Sequence, residues 1–319
     1  MRLKAAWIGT CIICTIFQYP AIGSSDPPAE DQAVIGEPSS IIRVSSNLVT
    51  VPVSVTDSEG RAIGNLGIQD FLIEEDGRPE AVSRIADSGR SPLRLALLFD
   101  LSGSVNSRFD FEQQAAIHFL EKVWSPGDTI SIIAFADNPR IRIQASGSLV
   151  EVMKVLSTLE PTENATAFFD AVILSAKALR QSAGPETRQA IIALSDGEDN
   201  RSRHTIAEAL NEIQRADTLF YSINPGGSSI RLNEISLNAQ SDLVSLAKET
   251  GGSAFLSDNT ADLDDVFSKI ATELRAQYLL SYYSENSQAD GKYRRISVSI
   301  PSRNDLRIRT RRGYYASAK

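Results

Sequence analysis

Two apolar runs, Leu93-Arg-Leu-Ala-Leu-Leu-Phe99 and Ala190-Ile-Ile-Ala-Leu194, constrain this chain more than anything else in it. A strand with one wet face alternates apolar and polar residues, because successive side chains point to opposite faces. These runs hardly alternate, so both faces must be covered, as in a parallel sheet with helices on either side. Thr129-Ile-Ser-Ile-Ile-Ala-Phe135 and residues 218–223 read the same way, 253–256 reads as a shorter strand, and the charged segment 140–144 reads as an edge strand. Helical periodicity separates them over 109–123, 149–159, 167–182, 205–216, 242–250 and 262–275. Strands alternating with helices predict an α/β fold, a doubly wound and mostly parallel Rossmann-like sheet spanning 91–275.

The flanks follow a different rule. Residues 42–56 alternate apolar with polar, and Asp57-Ser-Glu-Gly60 supplies a turn. Further strands fit 70–75 and 81–85 around Asp76-Gly77, and after the last helix 278–283, 293–300 and 306–311 return to strand. The expectation is a smaller all-β module formed by an N-terminal segment, 41–90, and C-terminal strands, 276–319, with the α/β domain inserted between them.

Ahead of the module, residues 24–40 carry Pro, Ser and acidic residues with little apolar content and read as a flexible linker. Residues 1–23 read as a signal peptide: Arg2 and Lys4, an apolar run over 5–17, then small residues at Ala21-Ile-Gly23. The run falls short of the roughly 20 apolar residues that span a bilayer, so no membrane span is expected after cleavage. This predicts export, to the periplasm, the outer surface or the medium. Both cysteines, Cys11 and Cys14, lie inside that segment, leaving the mature chain without disulfides or thiolate ligands.

Charge removes one class of partner. The formal net charge is −8, and loss of Arg2 and Lys4 makes it more negative. Nucleic-acid binding depends on neutralising phosphates with Lys and Arg, so none is expected. The arginines between Arg294 and Arg312 alternate with apolar residues and read as the solvated face of a strand.

Ligands of a doubly wound sheet bind beyond the carboxyl ends of its strands. The first apolar run leads into Asp100-Leu-Ser102-Gly-Ser104, the second into Ser195-Asp196-Gly-Glu-Asp199, and Thr166 opens a helix between them. Each segment alone has a structural explanation, since Asp, Ser and Thr cap helices and Ser-Asp-Gly makes turns. Together, at strand ends, they assemble two carboxylates and three hydroxyls with no His or Cys. All-oxygen donors suit Mg²⁺, Mn²⁺ or Ca²⁺ and disfavour softer metals. Two acids leave an ion under-coordinated, so water or a partner's carboxylate can complete its shell.

Leu97-Leu-Phe-Asp-Leu-Ser-Gly-Ser104, Ala165-Thr-Ala-Phe-Phe-Asp-Ala171 and Ile191-Ile-Ala-Leu-Ser-Asp-Gly-Glu198 resemble the three loops of the metal-ion-dependent adhesion site of von Willebrand factor type A domains. The resemblance runs over about 93–275. It implies that Ser102, Ser104 and Thr166 bind the ion through hydroxyls, and that Asp100 and Asp196 act directly or through water. It also implies a protein partner that offers an acidic side chain to the metal. Asn164-Ala165 stands where many relatives have glycines. Val51-Pro-Val-Ser-Val-Thr-Asp57, Glu75-Asp-Gly77 and Arg311-Arg-Gly-Tyr-Tyr315 resemble exported type A-related proteins common in Acidobacteria.

An enzyme is the competing class. The chain has two histidines, His118 at a mid-helix packing position and His204 ahead of a helix, no Gly-x-Ser-x-Gly elbow and no phosphate-binding Gly-x-x-x-x-Gly-Lys-Ser/Thr loop. Metal-assisted hydrolysis would need a general base beside the ion, and none is evident. The sequence therefore predicts a non-catalytic, exported binding or adhesion protein. An envelope scaffold with a structural metal is the alternative, and a metal-assisted hydrolase the weaker one.

Overall fold

The computed structural model describes residues 48–87, 91–103, 108–182, 187–224, 234–256 and 263–318. The segments read as signal peptide and linker, the start of the strand predicted from residue 42, and Ser104 lie outside these residues.

The central sheet has the strand order β10-β9-β8-β5-β6-β7. Its members are β5 (Leu93–Asp100), β6 (Thr129–Phe135), β7 (Arg140–Ser146), β8 (Arg188–Leu194), β9 (Leu219–Asn224) and β10 (Ala254–Leu256). All neighbours pair parallel except β7, which runs antiparallel to β6 at the edge. The apolar run of β5 divides between two cores. Leu95, Leu97 and Phe99 face α1 (Phe109–Val123), α2 (Leu149–Leu156) and α6 (Leu263–Ala276). Ala96 and Leu98 face α3 (Phe168–Ser182), α4 (Ile206–Arg215) and α5 (Glu234–Thr250). The missing alternation in the sequence is therefore the signature of a strand packed on both sides.

The flanking strands build two antiparallel sheets of four. One has the order β13-β1-β11-β4, the other β14-β12-β2-β3. They comprise β1 (Leu48–Thr56), β2 (Leu72–Glu75), β3 (Arg78–Glu80), β4 (Val82–Asp87), β11 (Tyr278–Tyr283), β12 (Tyr293–Ser299), β13 (Arg307–Thr310) and β14 (Gly313–Tyr315). Val51 and Val53 of β1, Ile73 of β2, Leu280 of β11 and Ile296 of β12 share one core, so the sheets pack face to face. Both sheets combine strands from before and after the α/β domain. Buried Glu75 on β2 ties them together: it accepts from Tyr282 (2.7 Å), Ser284 (2.7 Å) and Tyr314 (2.9 Å).

Three elements differ from the sequence reading. Helix α5 begins at Glu234, well before residue 242, because Ser236, Asn238 and Ser241 are weak helix formers that blur the periodicity. Strand β3 contains Pro79, which is tolerated because β3 is an edge strand. Strand β14 is three residues long and, among the described residues, pairs only with β12. The Thr205 cap of α4 is reciprocated by Glu208, whose carboxylate accepts from Thr205 N at 2.8 Å.

Helix α6 passes into β11 through the single buried residue Gln277. One turn earlier, Glu273 is 8% exposed and accepts hydrogen bonds from Ser54 of β1 (3.0 Å), Tyr221 of β9 (2.8 Å) and Arg309 of β13. One carboxylate thus joins the last helix, the central sheet and the β module. Glu273→Ala leaves a buried phenol and a guanidinium without their acceptor. The variant is expected to lose about 3 kcal/mol of stability, read as a lower urea midpoint. A loss below about 1 kcal/mol would show that the joint is not held here.

Candidate metal centre

Strand order reverses between β5 and β8, which places the C-terminal ends of these two strands on either side of one crevice. Asp100 ends β5, and Ser195 and Asp196 follow β8. The Asp100 carboxylate is completely buried. One oxygen accepts from Ser102 N at 2.9 Å and the other from Ser195 Oγ at 2.6 Å. Burial pushes the Asp100 carboxyl up to about 6; the bonds from Ser195 and Ser102 oppose that shift, and the charge of Asp196 adds to it.

Backbone bonds hold the Asp100 loop in place. Leu101 N donates to Phe135 O at 2.7 Å, and Thr162 binds Leu101 O through N (2.7 Å) and Oγ1 (2.9 Å). Ser102, 1% exposed, sits in this clamp with its hydroxyl part of the same loop.

Thr166, 5% exposed, precedes α3. Its N–H donates to Asn200 Oδ1 at 2.9 Å, and its carbonyl accepts from Asn200 N and Arg201 N, both at 3.0 Å. The next orphan donors of α3 are met by the same loop: Phe169 N binds Asp199 Oδ2 (2.9 Å) and Asp170 N binds Ser202 Oγ (3.0 Å). The loop after β8 thus carries Asp196 and also holds Thr166 against it.

Asp196 is partly buried, and its Oδ1 accepts from Glu198 N at 3.1 Å. Ser195 Oγ accepts from Gly197 N at 3.0 Å while donating to Asp100, so one hydroxyl joins the two acidic loops. Gly197 has φ +79°, and a Cβ there would lie 2.7 Å from the Leu243 side chain of α5.

Four of the five sequence-derived ligands, Asp100, Ser102, Thr166 and Asp196, therefore lie on three loops at one end of the sheet. The fifth, Ser104, falls outside the described residues. Among the described residues no three His, Cys, Asp or Glu side chains converge as a metal cluster. An ion here would be held by two carboxylates, hydroxyls and water, a donor set that fits a hard divalent cation.

Several contributors escaped the sequence reading. Ser195 and Asp199 belong to the segment singled out in the sequence, but their partners, like that of Asn200, lie about 30 to 95 residues away, which no local pattern announces. Glu112 of α1 is fully buried; among the described residues neither carboxylate oxygen is hydrogen-bonded, and Arg108 Nε lies at 3.7 Å. Burial pushes its carboxyl up to about 8; Arg108 opposes this, while the charges of Asp100 and Asp196 reinforce it. His118, expected at a packing position, is instead 53% exposed. His204 Nδ1 is engaged by Asp170 at 2.7 Å.

Residues 95–198 match the family model described as von Willebrand factor type A domain. No curated protein sequence matches the chain. Among solved structures, proximal thread matrix protein 1 from the mussel byssus, in a form with a zinc-occupied MIDAS motif, is 14% identical with a TM-score of 0.48. That likeness covers 63% of this chain and 50% of the byssus protein, so the chain spans about half the length of that relative. BatB from Bacteroides thetaiotaomicron is 14% identical over 57% of this chain and 98% of its own, with a TM-score of 0.45. A von Willebrand factor type A protein from Catenulispora acidiphila is 13% identical over 73% of this chain and 51% of its own, with a TM-score of 0.46.

Gly197→Ala tests the loop geometry. Positive φ costs an L-residue roughly 1–2 kcal/mol, and the contact with Leu243 adds to that. The melting temperature is expected to fall by several degrees in circular dichroism, by about ΔΔG/ΔS of unfolding. An unchanged melting temperature would mean that the loop is free to rearrange.

Proposed function

From the premise that this chain carries a von Willebrand factor type A domain, we propose that it is an exported, non-catalytic binding protein that captures a protein partner through a divalent cation. The observation that carries the reading is the buried Asp100 carboxylate at the crevice, facing the Asp196 loop and surrounded by hydroxyl donors. A carboxylate removed from water and close to a second one is a poor arrangement without a counter-charge, and a divalent ion supplies it.

Asp100, Ser102, Ser104, Thr166 and Asp196 are the residues that would hold Mg²⁺, Mn²⁺ or Ca²⁺. When bound, the cation supplies an electrophilic position for an oxygen donor from outside the chain. Ser195 keeps the two acidic loops in register, and Asn200 orients the Thr166 backbone. The hydroxyl ligands fill coordination positions without adding charge, and two carboxylates do not fill the shell of a hard cation, which leaves a position for an oxygen donor such as an incoming carboxylate. Export is supported by the charged start, apolar run and small residues of 1–23, and no described helix is long and apolar enough to cross a membrane.

The test is calorimetric titration of the chain with Mn²⁺ and Mg²⁺, beside Asp100→Ala and Thr166→Ala. Wild type is expected to bind one ion saturably, Asp100→Ala to lose binding altogether, and Thr166→Ala to weaken it by about tenfold or more, as loss of one ligand to a hard cation does. Binding that survives in Asp100→Ala would place the ion elsewhere and sink the reading.

A further inference from the structure

The loop that holds Thr166 continues into a cleft of about 580 Å³ whose lining includes Asp137, Asp170, Lys177, Arg201, Arg203 and His204. We infer that this cleft is a second, anion-binding subsite, and that the partner is an acidic protein segment that places one carboxylate at the metal centre and another among Lys177, Arg201 and Arg203. The inference rests on the metal-dependent reading and adds the chemistry of the partner beyond its first acidic group.

Three observations carry it. Lys177, Arg201 and Arg203 are exposed, and no ion pair to any of their side chains occurs among the described residues. Their counter-charges within the cleft are few. The Asp170 carboxylate is already taken by Arg203 N (3.2 Å), His204 N (3.3 Å) and His204 Nδ1 (2.7 Å), which leaves Asp137 as the other acid. Lys177 also borders Glu208 and Glu212 in the adjoining cleft, so the local excess of positive charge rests on Arg201 and Arg203, a reversal of the general field in a chain of net charge −8.

The second observation is continuity with the metal centre. Arg201 N bonds Thr166 O at 3.0 Å, and Asp170, which anchors Arg203 and His204, lies four residues after Thr166. A helical turn is about 5 Å, so the cleft opens within about one or two turns of the proposed ligand. An extended peptide advances about 3.3 Å per residue, which sets the second acid a few residues from the first.

Third, the surroundings are polarised. Outside the cleft, where the loop after β8 meets α5, Glu198 accepts from Ser236 Oγ at 2.8 Å, and Asp242 of α5 lies close enough to Asp199 for that charge to add to the upward push of burial on its carboxyl. An acidic segment is repelled on that side and drawn to the α3 side, so the charges select both the partner and the direction in which it lies.

The test uses the whole chain and a fluorescein-labelled hexaglutamate peptide in Mg²⁺, read by anisotropy, with N-acetylglutamate as a single-carboxylate competitor. Mn²⁺ calorimetry runs in parallel. The double variant Arg201→Gln/Arg203→Gln keeps every backbone bond of the loop. It is expected to bind Mn²⁺ like wild type while its affinity for hexaglutamate falls about tenfold, towards that of N-acetylglutamate. Equal hexaglutamate affinity in wild type and double variant, with Mn²⁺ binding intact in both, overturns the subsite and leaves the metal reading standing. Wild type that binds no Mn²⁺ overturns the metal reading and the subsite with it. If wild type ignores hexaglutamate but binds dextran sulfate through Arg201 and Arg203, the partner is a polyanionic glycan and the acidic-segment assignment is wrong.

Discussion

Covering both faces of the six-stranded sheet is the constraint on which the rest of this structure depends. Once helices occupy both sides, the strands leave little room for charged groups, and ligand-binding chemistry gathers at their ends. The centre of β5 is wholly apolar on both sides, and its first carboxylate comes at its last residue, Asp100. The reversal of strand order then decides which end-loops meet. Because β8 returns to the opposite side of β5 from β6, the loops after β5 and β8 become neighbours although about 95 residues separate Asp100 from Ser195.

The site is organised by hydrogen bonds to the backbone more than by its acidic residues. Asp199 and Asn200 offer side-chain oxygens to the first N–H groups around α3, and Ser202 adds another. These contacts satisfy donors that the helix cannot satisfy itself, and they fix the separation of two loops at the same time. Asp100 is held in similar fashion by Ser102 N and Ser195 Oγ. Such preorganisation means that little of the polypeptide has to be ordered when a ligand arrives.

Much of the fold was legible because it rests on periodicity. The runs at Leu93 and Ala190 encode coverage on both faces, and the alternation around Val51 and Val53 encodes a sheet with one apolar side. Candidate ligands were legible because Asp, Ser and Thr sit directly at the ends of those runs. Elements whose local signal is weak were missed. The first turns of α5 are rich in Ser and Asn, and β14 is too short for any pattern. The roles of Ser195 and Asn200 were hidden for another reason: each depends on a partner far away in the chain, and Glu112 is notable only because it is buried. Burial and long-range pairing are properties of the folded chain and leave no spacing to read.

The β module is completed only by strands that the chain supplies late. Thr50 and Ser281 touch across a separation of 231 residues, and β1 is flanked in its sheet by β11 and β13. On a ribosome adding about 5–20 residues per second, β1 would wait roughly 10–50 s for its neighbours. Throughout that interval Val49, Val51, Val53 and Val55 form an apolar strand with two unpaired edges, the state most open to association with another nascent chain. The architecture that lets one carboxylate couple both parts of the folded molecule therefore also leaves the first of its described strands unpaired for most of synthesis.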